Sequence, residues 1–220
     1  MLKSISAGML VVFALSGCGG NDAEPAAETA PNIVQPGAPG KPSTTLSAEE
    51  LDAFETPTFG KPDVAFMQGM IHHHAQALRM TALVPTRSAG KDIPLLAERM
   101  ELSQEAEIEQ MQAWLEERDQ SVPAPHLAHG HAHGAGQVLM PGMLTESELK
   151  RLEAASGRAF DRLFLELMIR HHEGALTMVR RLYAAGGGLE SETDLFARHV
   201  EADQAIEIAR MQQLLAGRAS

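Results

Sequence analysis

The sequence predicts an all-α fold: a four-helix bundle built from two repeated helical hairpins, with short flanking helices. Two internal matches carry that expectation. Phe66-Met67-Gln68-Gly69-Met70-Ile71-His72-His73-His74-Ala75-Gln76-Ala77-Leu78-Arg79-Met80 recurs as Phe164-Leu165-Glu166-Leu167-Met168-Ile169-Arg170-His171-His172-Glu173-Gly174-Ala175-Leu176-Thr177-Met178, with Phe, Met-Ile, His-His, Ala-Leu and Met in register. Further on, Glu101, Gln104, Glu107, Ile108, Met111 and Gln112 return as Glu201, Gln204, Glu207, Ile208, Met211 and Gln212. Composition agrees. A hydrophobic fraction of 44% with 4% aromatics and 12 Met describes an aliphatic, thioether-rich core, which suits helices better than a sandwich or barrel. No β pattern of any length competes.

The chain opens on a targeting pattern, with Lys3 as the positive n-region and Ala7 to Leu15 as a short apolar stretch. That stretch falls short of the roughly 20 apolar residues a membrane span needs. It ends in Leu15-Ser16-Gly17-Cys18, which resembles the lipobox of bacterial lipoproteins. By that resemblance residues 1–17 are a signal peptide and Cys18 carries the lipid. Gly19 after the Cys favours the outer membrane. Cys18 is the single Cys of the chain, so the mature protein has no disulfide and no thiolate metal site. Residues 18–45 are rich in Pro, Ala, Gly and Glu and read as a disordered tether.

The bundle is expected over residues 46–220. Ser47-Ala48-Glu49-Glu50 forms a capping box opening a short helix toward Phe54. The first repeat covers 59–120. Pro62 suits the first turn of a helix that runs to about Val84, where Pro85 would stop it. Asp92 would cap a second helix, with Pro94 in its first turn, reaching about Arg118. Residues 121–143 form a linker dense in Pro, Gly and His. The second repeat covers 144–217: a capping box at Thr145-Glu146-Ser147-Glu148 opens a short helix to about Glu153. Ser156 would cap the third long helix, Gly186-Gly187-Gly188 end it, and Ser191 starts the fourth.

Helical spacing groups Met70, His73, Ala77 and Met80 on one face, and Met168, His171, Ala175 and Met178 on the corresponding face of the second copy. His74 and His172 lie about 100° further round. The partner helices carry Met100, Gln104, Glu107, Met111 and Val200, Gln204, Glu207, Met211. A carboxamide and a carboxylate in an apolar stripe are costly without partners, and histidines of the neighbouring helix would supply them. Adjacent His with Met on both sides suit copper, Cu(I) or Cu(II), because imidazole and thioether together favour it. The candidate metal residues are therefore Met70, His73, His74, Met80, Glu107, Met168, His171, His172, Met178 and Glu207. A plain core role for the Met stripe and a satisfied polar layer for the Glu–His pairs stand beside that reading. No Glu-x-x-His, the signature of di-iron bundles, and no His-Glu-x-x-His of zinc proteases occurs. The linker adds His126, His129, His131 and His133, a possible secondary site for Cu(II) or other divalent metals, with Met140 and Met143 as added thioethers.

These residues together resemble a bacterial family of ferritin-like four-helix proteins labelled a domain of unknown function. Its CopM-like members are periplasmic copper binders. The resemblance rests on Met70-Ile71-x-His73-His74 with Ala77 and Met80, and on Phe160-Asp161-x-x-Phe164-Leu165-x-x-Met168-Ile169-x-His171-His172-Glu173-Gly174-Ala175. It rests also on Gln204 to Met211, and covers roughly Phe59 to Leu215. It implies an envelope location and copper binding by the His and Met positions named. Val200 in place of a Met, and Arg170 in place of His72, depart from the repeat.

The expected function is a lipid-anchored envelope protein that sequesters or transfers copper, as a binder and not an enzyme. A copper-handling protein or a second copy of the chain is a possible partner. A net charge of −11 leaves no basic stripe for nucleic acid. The alternatives are a metal-dependent oxidoreductase on the same bundle and a structural or adaptor lipoprotein without metal.

Overall fold

The computed structural model describes residues 33–52, 57–124 and 139–217. Cys18 and His126, His129, His131 and His133 lie outside these residues, as does Phe54. The chain divides into two units, residues 1–55 and 56–220. In the first, β1 (Val34–Gln35) and β2 (Thr44–Thr45) form a two-residue antiparallel ladder, and α1 spans Ala48–Asp52. The Ser47 capping box is present, with Glu50 N–H donating to Ser47 Oγ (3.2 Å) and Ser47 N–H to Glu50 Oε2 (2.8 Å). α1 falls in the first unit, and β1 and β2 lie within residues 18–45.

The second unit is all helical. Four long helices, α2 (Lys61–Thr81), α4 (Asp92–Glu116), α6 (Gly157–Ala184) and α7 (Ser191–Ala216), are joined by the short α3 (Val84–Arg87) and α5 (Glu146–Ala154). α2 pairs with α4, α6 with α7, and the two hairpins meet chiefly through α2 and α6. The expectation that Pro85 stops the first helix is corrected: α2 ends earlier, at Thr81, and Pro85 lies in the first turn of α3. A proline there has no intrahelical N–H to forfeit. Asp92 begins α4 instead of capping it, Ser191 starts α7 as its position predicts, and Ser156 precedes α6 without a side-chain cap. The Thr145–Glu148 box closes as its spacing predicts.

Apolar residues gather in two clusters. One takes Ala77 and Met80 from α2, Ile93 and Met100 from α4, Phe160, Phe164 and Met168 from α6, and Met211 from α7. The other takes Phe66 and Met70 from α2, Ile108 and Met111 from α4, Ala175 and Met178 from α6, and Phe196 and Val200 from α7. Each cluster thus combines the beginning of two long helices with the end of two others, so neighbouring helices run antiparallel. On every helix the residues between the clusters are polar: His73 and His74, Gln104 and Glu107, His171 and His172, Gln204 and Glu207. A polar layer crosses the middle of the bundle between two Met-rich slabs.

The halves repeat about an approximate two-fold axis. Asp63, in the first turn of α2, and Asp161, the fifth residue of α6, occupy matching positions of the two hairpins, and both are buried. Asp63 Oδ1 accepts from Gly188 N–H (2.7 Å), in the loop after α6. Asp161 Oδ1 accepts from Ser88 Oγ–H (2.6 Å) and Ala89 N–H (3.3 Å), in the loop after α3. Each hairpin's leading carboxylate satisfies backbone at the turn of the other. Buried backbone N–H groups need such partners.

Candidate metal centre

His73, His74, His171 and His172 are all 0% exposed. The outer two are each held by the carboxylate of their own hairpin. His74 Nε2 bonds Glu107 Oε2, and His172 Nε2 bonds Glu207 Oε2 at 2.7 Å. The inner two meet across the axis, with the His73 and His171 rings 3.8 Å apart between centroids and tilted by 34°. His73 Nε2 lies 3.0 Å from the carbonyl oxygen of Pro141.

These contacts assign protons. A carbonyl or carboxylate oxygen can only accept, so Nε2 of His73, His74 and His172 carries a hydrogen, and in His73, kept neutral by burial, Nδ1 carries a lone pair. All three Nδ1 atoms are buried without a partner among the described residues, as are both ring nitrogens of His171. Burial first, and then the neighbouring His74, hold His73 far below the ordinary imidazole range, at about 3. Burial followed by His73, His172 and His74 pushes His171 well down too. Both rings are therefore neutral at pH 7, the state in which imidazole ligates metals. Unsatisfied buried lone pairs cost stability, and their concentration in one layer requires an explanation.

The expected residues fall into three groups. The four histidines come together with Glu107 and Glu207. Met70 and Met178 share one flanking cluster, and Met80 and Met168 share the other. Met140 packs against the first of these: a Cβ at Gly69 would lie 3.3 Å from Met178 Cε and 3.5 Å from Met140 Sδ. Met143 is half-buried two residues beyond Pro141. Among the described residues, no three His, Cys, Asp or Glu side chains are grouped so that they could hold a metal ion between them. The donors present are imidazoles and thioethers, which suits a soft ion of low coordination number better than zinc or calcium.

Sequence reading missed the strap that covers the layer. Ser121, just after α4, and residues 140–144, just before α5, lie against α2. Gln68 Nε2–H donates to Ser121 O (2.8 Å), Met140 lies over Gly69, and Pro141 O meets His73. Gln76 then clamps the backbone of Leu144 in both directions, at 3.0 and 2.7 Å. Arg79 pairs with Glu146 and Glu153 of α5 at 2.9 and 2.8 Å. On α6, Gly174 admits the Pro141 carbonyl where any Cβ would collide with it, and Gly142 takes φ +77° beside Arg170. A glycine inside a helix was the available signal, since it marks close backbone approach. Gln104 is a second omission: the expected histidine partner is missing, and its buried Oε1 has none among the described residues.

Fold and layer together define an all-α four-helix protein with a buried imidazole layer. The chain belongs to the DUF305 family, a domain of unknown function, whose model matches residues 63–215. A DUF305 fragment from Deinococcus radiodurans is 32% identical, covering 73% of this chain and 99% of that one, with a TM-score of 0.59. A Streptomyces coelicolor DUF305 protein described as secreted is 27% identical over 72% of this chain and 93% of that one, with a TM-score of 0.61. CopM in its Cu(II)-bound form is 27% identical over 70% and 96%, with a TM-score of 0.57. CopM is also solved with Cu(I), with Ag and in the apo form. None of the curated proteins matches the chain.

Proposed function

We propose that this protein binds copper in the central layer and holds or transfers it, acting as a binder and not a catalyst. One observation carries the reading: Nδ1 of His73, His74 and His172 is buried without a partner among the described residues, while Nε2 of each ring is engaged elsewhere. Carboxylate or carbonyl at one ring nitrogen and metal at the other is the usual arrangement of a ligating histidine. Met70, Met178, Met80 and Met168 flank the layer and supply thioethers that favour Cu(I). The Cu(II)-bound CopM structure supports copper as the ion. Full burial of the imidazoles supports storage or hand-over rather than turnover of a substrate. Cys18 would anchor the protein to the envelope by its lipid, and His126 to His133 would form a separate, less selective site.

The test is anaerobic Cu(I) titration of the full chain against a chromophoric chelator, with a variant carrying His73, His74, His171 and His172 as Ala. Binding in the parent that disappears in the variant supports the layer as the site. Binding that survives transfers the site to the linker histidines, and absence of binding in the parent leaves the adaptor reading.

A further inference from the structure

We infer that Asp203, with Glu107 and Glu207, forms the entrance through which a metal cation reaches the imidazole layer, and that Asp203 governs the rate of loading without being a ligand. The inference rests on the copper-binding reading above.

The layer is closed on its α2–α6 side by the strap. Pro141 caps His73 there, and Gly174 lets the backbone seat directly on α6. On the α4–α7 side the barrier is thinner. Glu107 and Glu207 reach inward to His74 and His172, yet their side chains keep 11% and 15% exposure. These two carboxylates touch both the buried imidazoles and solvent. Asp203 stands one turn before Glu207 on α7, at the i, i+4 spacing that puts both on one face, and it is exposed. The charges of Glu107 and Glu207 both act on Asp203, which draws the three carboxyls from two helices into one neighbourhood.

Gathering like charges opposes folding, and among the described residues no Lys or Arg salt bridge relieves them. His199, one turn earlier on α7, is the basic group that acts on Asp203 among the described residues. Behind them the interior holds polar atoms with nothing to bind. Among the described residues, Gln104 Oε1, on a residue 2% exposed and one turn before Glu107, has no partner, and neither has Nδ1 of His74 or His172 beyond the two glutamates. A rim of negative charge leading to unpartnered buried donors is what a cation path requires. Such a rim raises the local cation concentration and the on-rate, and does so less as salt increases.

The test is stopped-flow loading of the full chain with Cu(I) from a chromophoric Cu(I) complex, under anaerobic conditions at low ionic strength. Equilibrium affinity is measured in parallel. Asp203→Asn should slow loading by about threefold to tenfold, the range expected for losing one steering charge at a cleft. Its affinity should stay unchanged and the deficit should shrink at high salt. Asp203→Glu should restore the rate, and Glu98→Gln, an equal charge change elsewhere on α4, should load like the parent. The inference is overturned if Asp203→Asn loads at the parental rate, if Glu98→Gln slows it equally, or if affinity falls with the rate. A parent that takes up no Cu(I) overturns instead the copper reading itself.

Discussion

His73 and His171 hold equivalent positions of the repeat and stack on each other at 3.8 Å across the axis that relates the halves. Two imidazoles that close, in a dry layer, cannot both be charged.

Acid should therefore weaken the fold early. His73 has its folded value depressed to about 3, and His171 is depressed in the same direction. The unfolded chain takes up protons near the ordinary imidazole value of about 6.5 while the folded chain refuses them. The stability these groups contribute is present above that value and is lost as pH falls through it, for His73 down to about 3. Urea unfolding of the metal-free protein should show a loss of roughly 1.4 kcal/mol per imidazole between pH 7.5 and 5.5.

Glu107→Ala should cost more than its small exposure suggests. It strands the buried Nε2–H of His74, a penalty of about 1–3 kcal/mol. It also frees the ring to turn, so Cu(I) affinity should drop by roughly tenfold to a hundredfold. Glu107→Gln retains an acceptor and should fall between parent and Ala. Chemical denaturation and chelator competition read the two effects separately.

Gly174→Ala opposes two effects of different size. Helix propensity favours Ala by about 1 kcal/mol. The new Cβ would collide with the Pro141 carbonyl, and overpacking of that kind costs about 1–3 kcal/mol. A net loss of stability is expected, with faster exchange of the Leu144 amide, whose hydrogen Gln76 Oε1 accepts in the parent. Hydrogen exchange and a thermal melt check both.

Asp161→Ala should destabilise by roughly 2–3 kcal/mol, because the Ser88 hydroxyl and Ala89 amide lose a charged acceptor together. Asp63→Ala should behave alike through Gly188 and Gly60. Matching losses in the two melts would show the turns to be equivalent in energy as well as in position.

Most of the bundle was legible because its signals are local and doubled. Methionines and histidines at helical spacing, stated twice, define two hairpins and a shared polar layer. What escaped depends on contacts between distant segments. Pro85 looked like a stop because its role in starting α3 depends on the chain having already turned after Thr81. Two departures from the repeat, Arg170 and Gly174, meet the strap or the helix that follows it, whereas Val200 lies in the core. Arg170 stands where the first copy has His72 because it bonds Glu148 of α5 at 2.6 Å. Gly174 replaces Gln76 because one helix clamps the strap while the other lets it pass. Nothing in either copy alone announces a segment that lies across both.

The approximate two-fold axis has a consequence for the origin of such a chain. One hairpin contributes one inner ring, one outer ring and one carboxylate, and its inner ring needs a second hairpin to stack upon. A single hairpin could form this layer only by pairing with its twin, at a strength set by protein concentration. Joining the two in one polypeptide turns that encounter into a ring closure, with an effective concentration of about millimolar for a short linker. The two copies are not identical: His72 and Gln76 correspond to Arg170 and Gly174 where the strap runs, and Met100 corresponds to Val200 in the core.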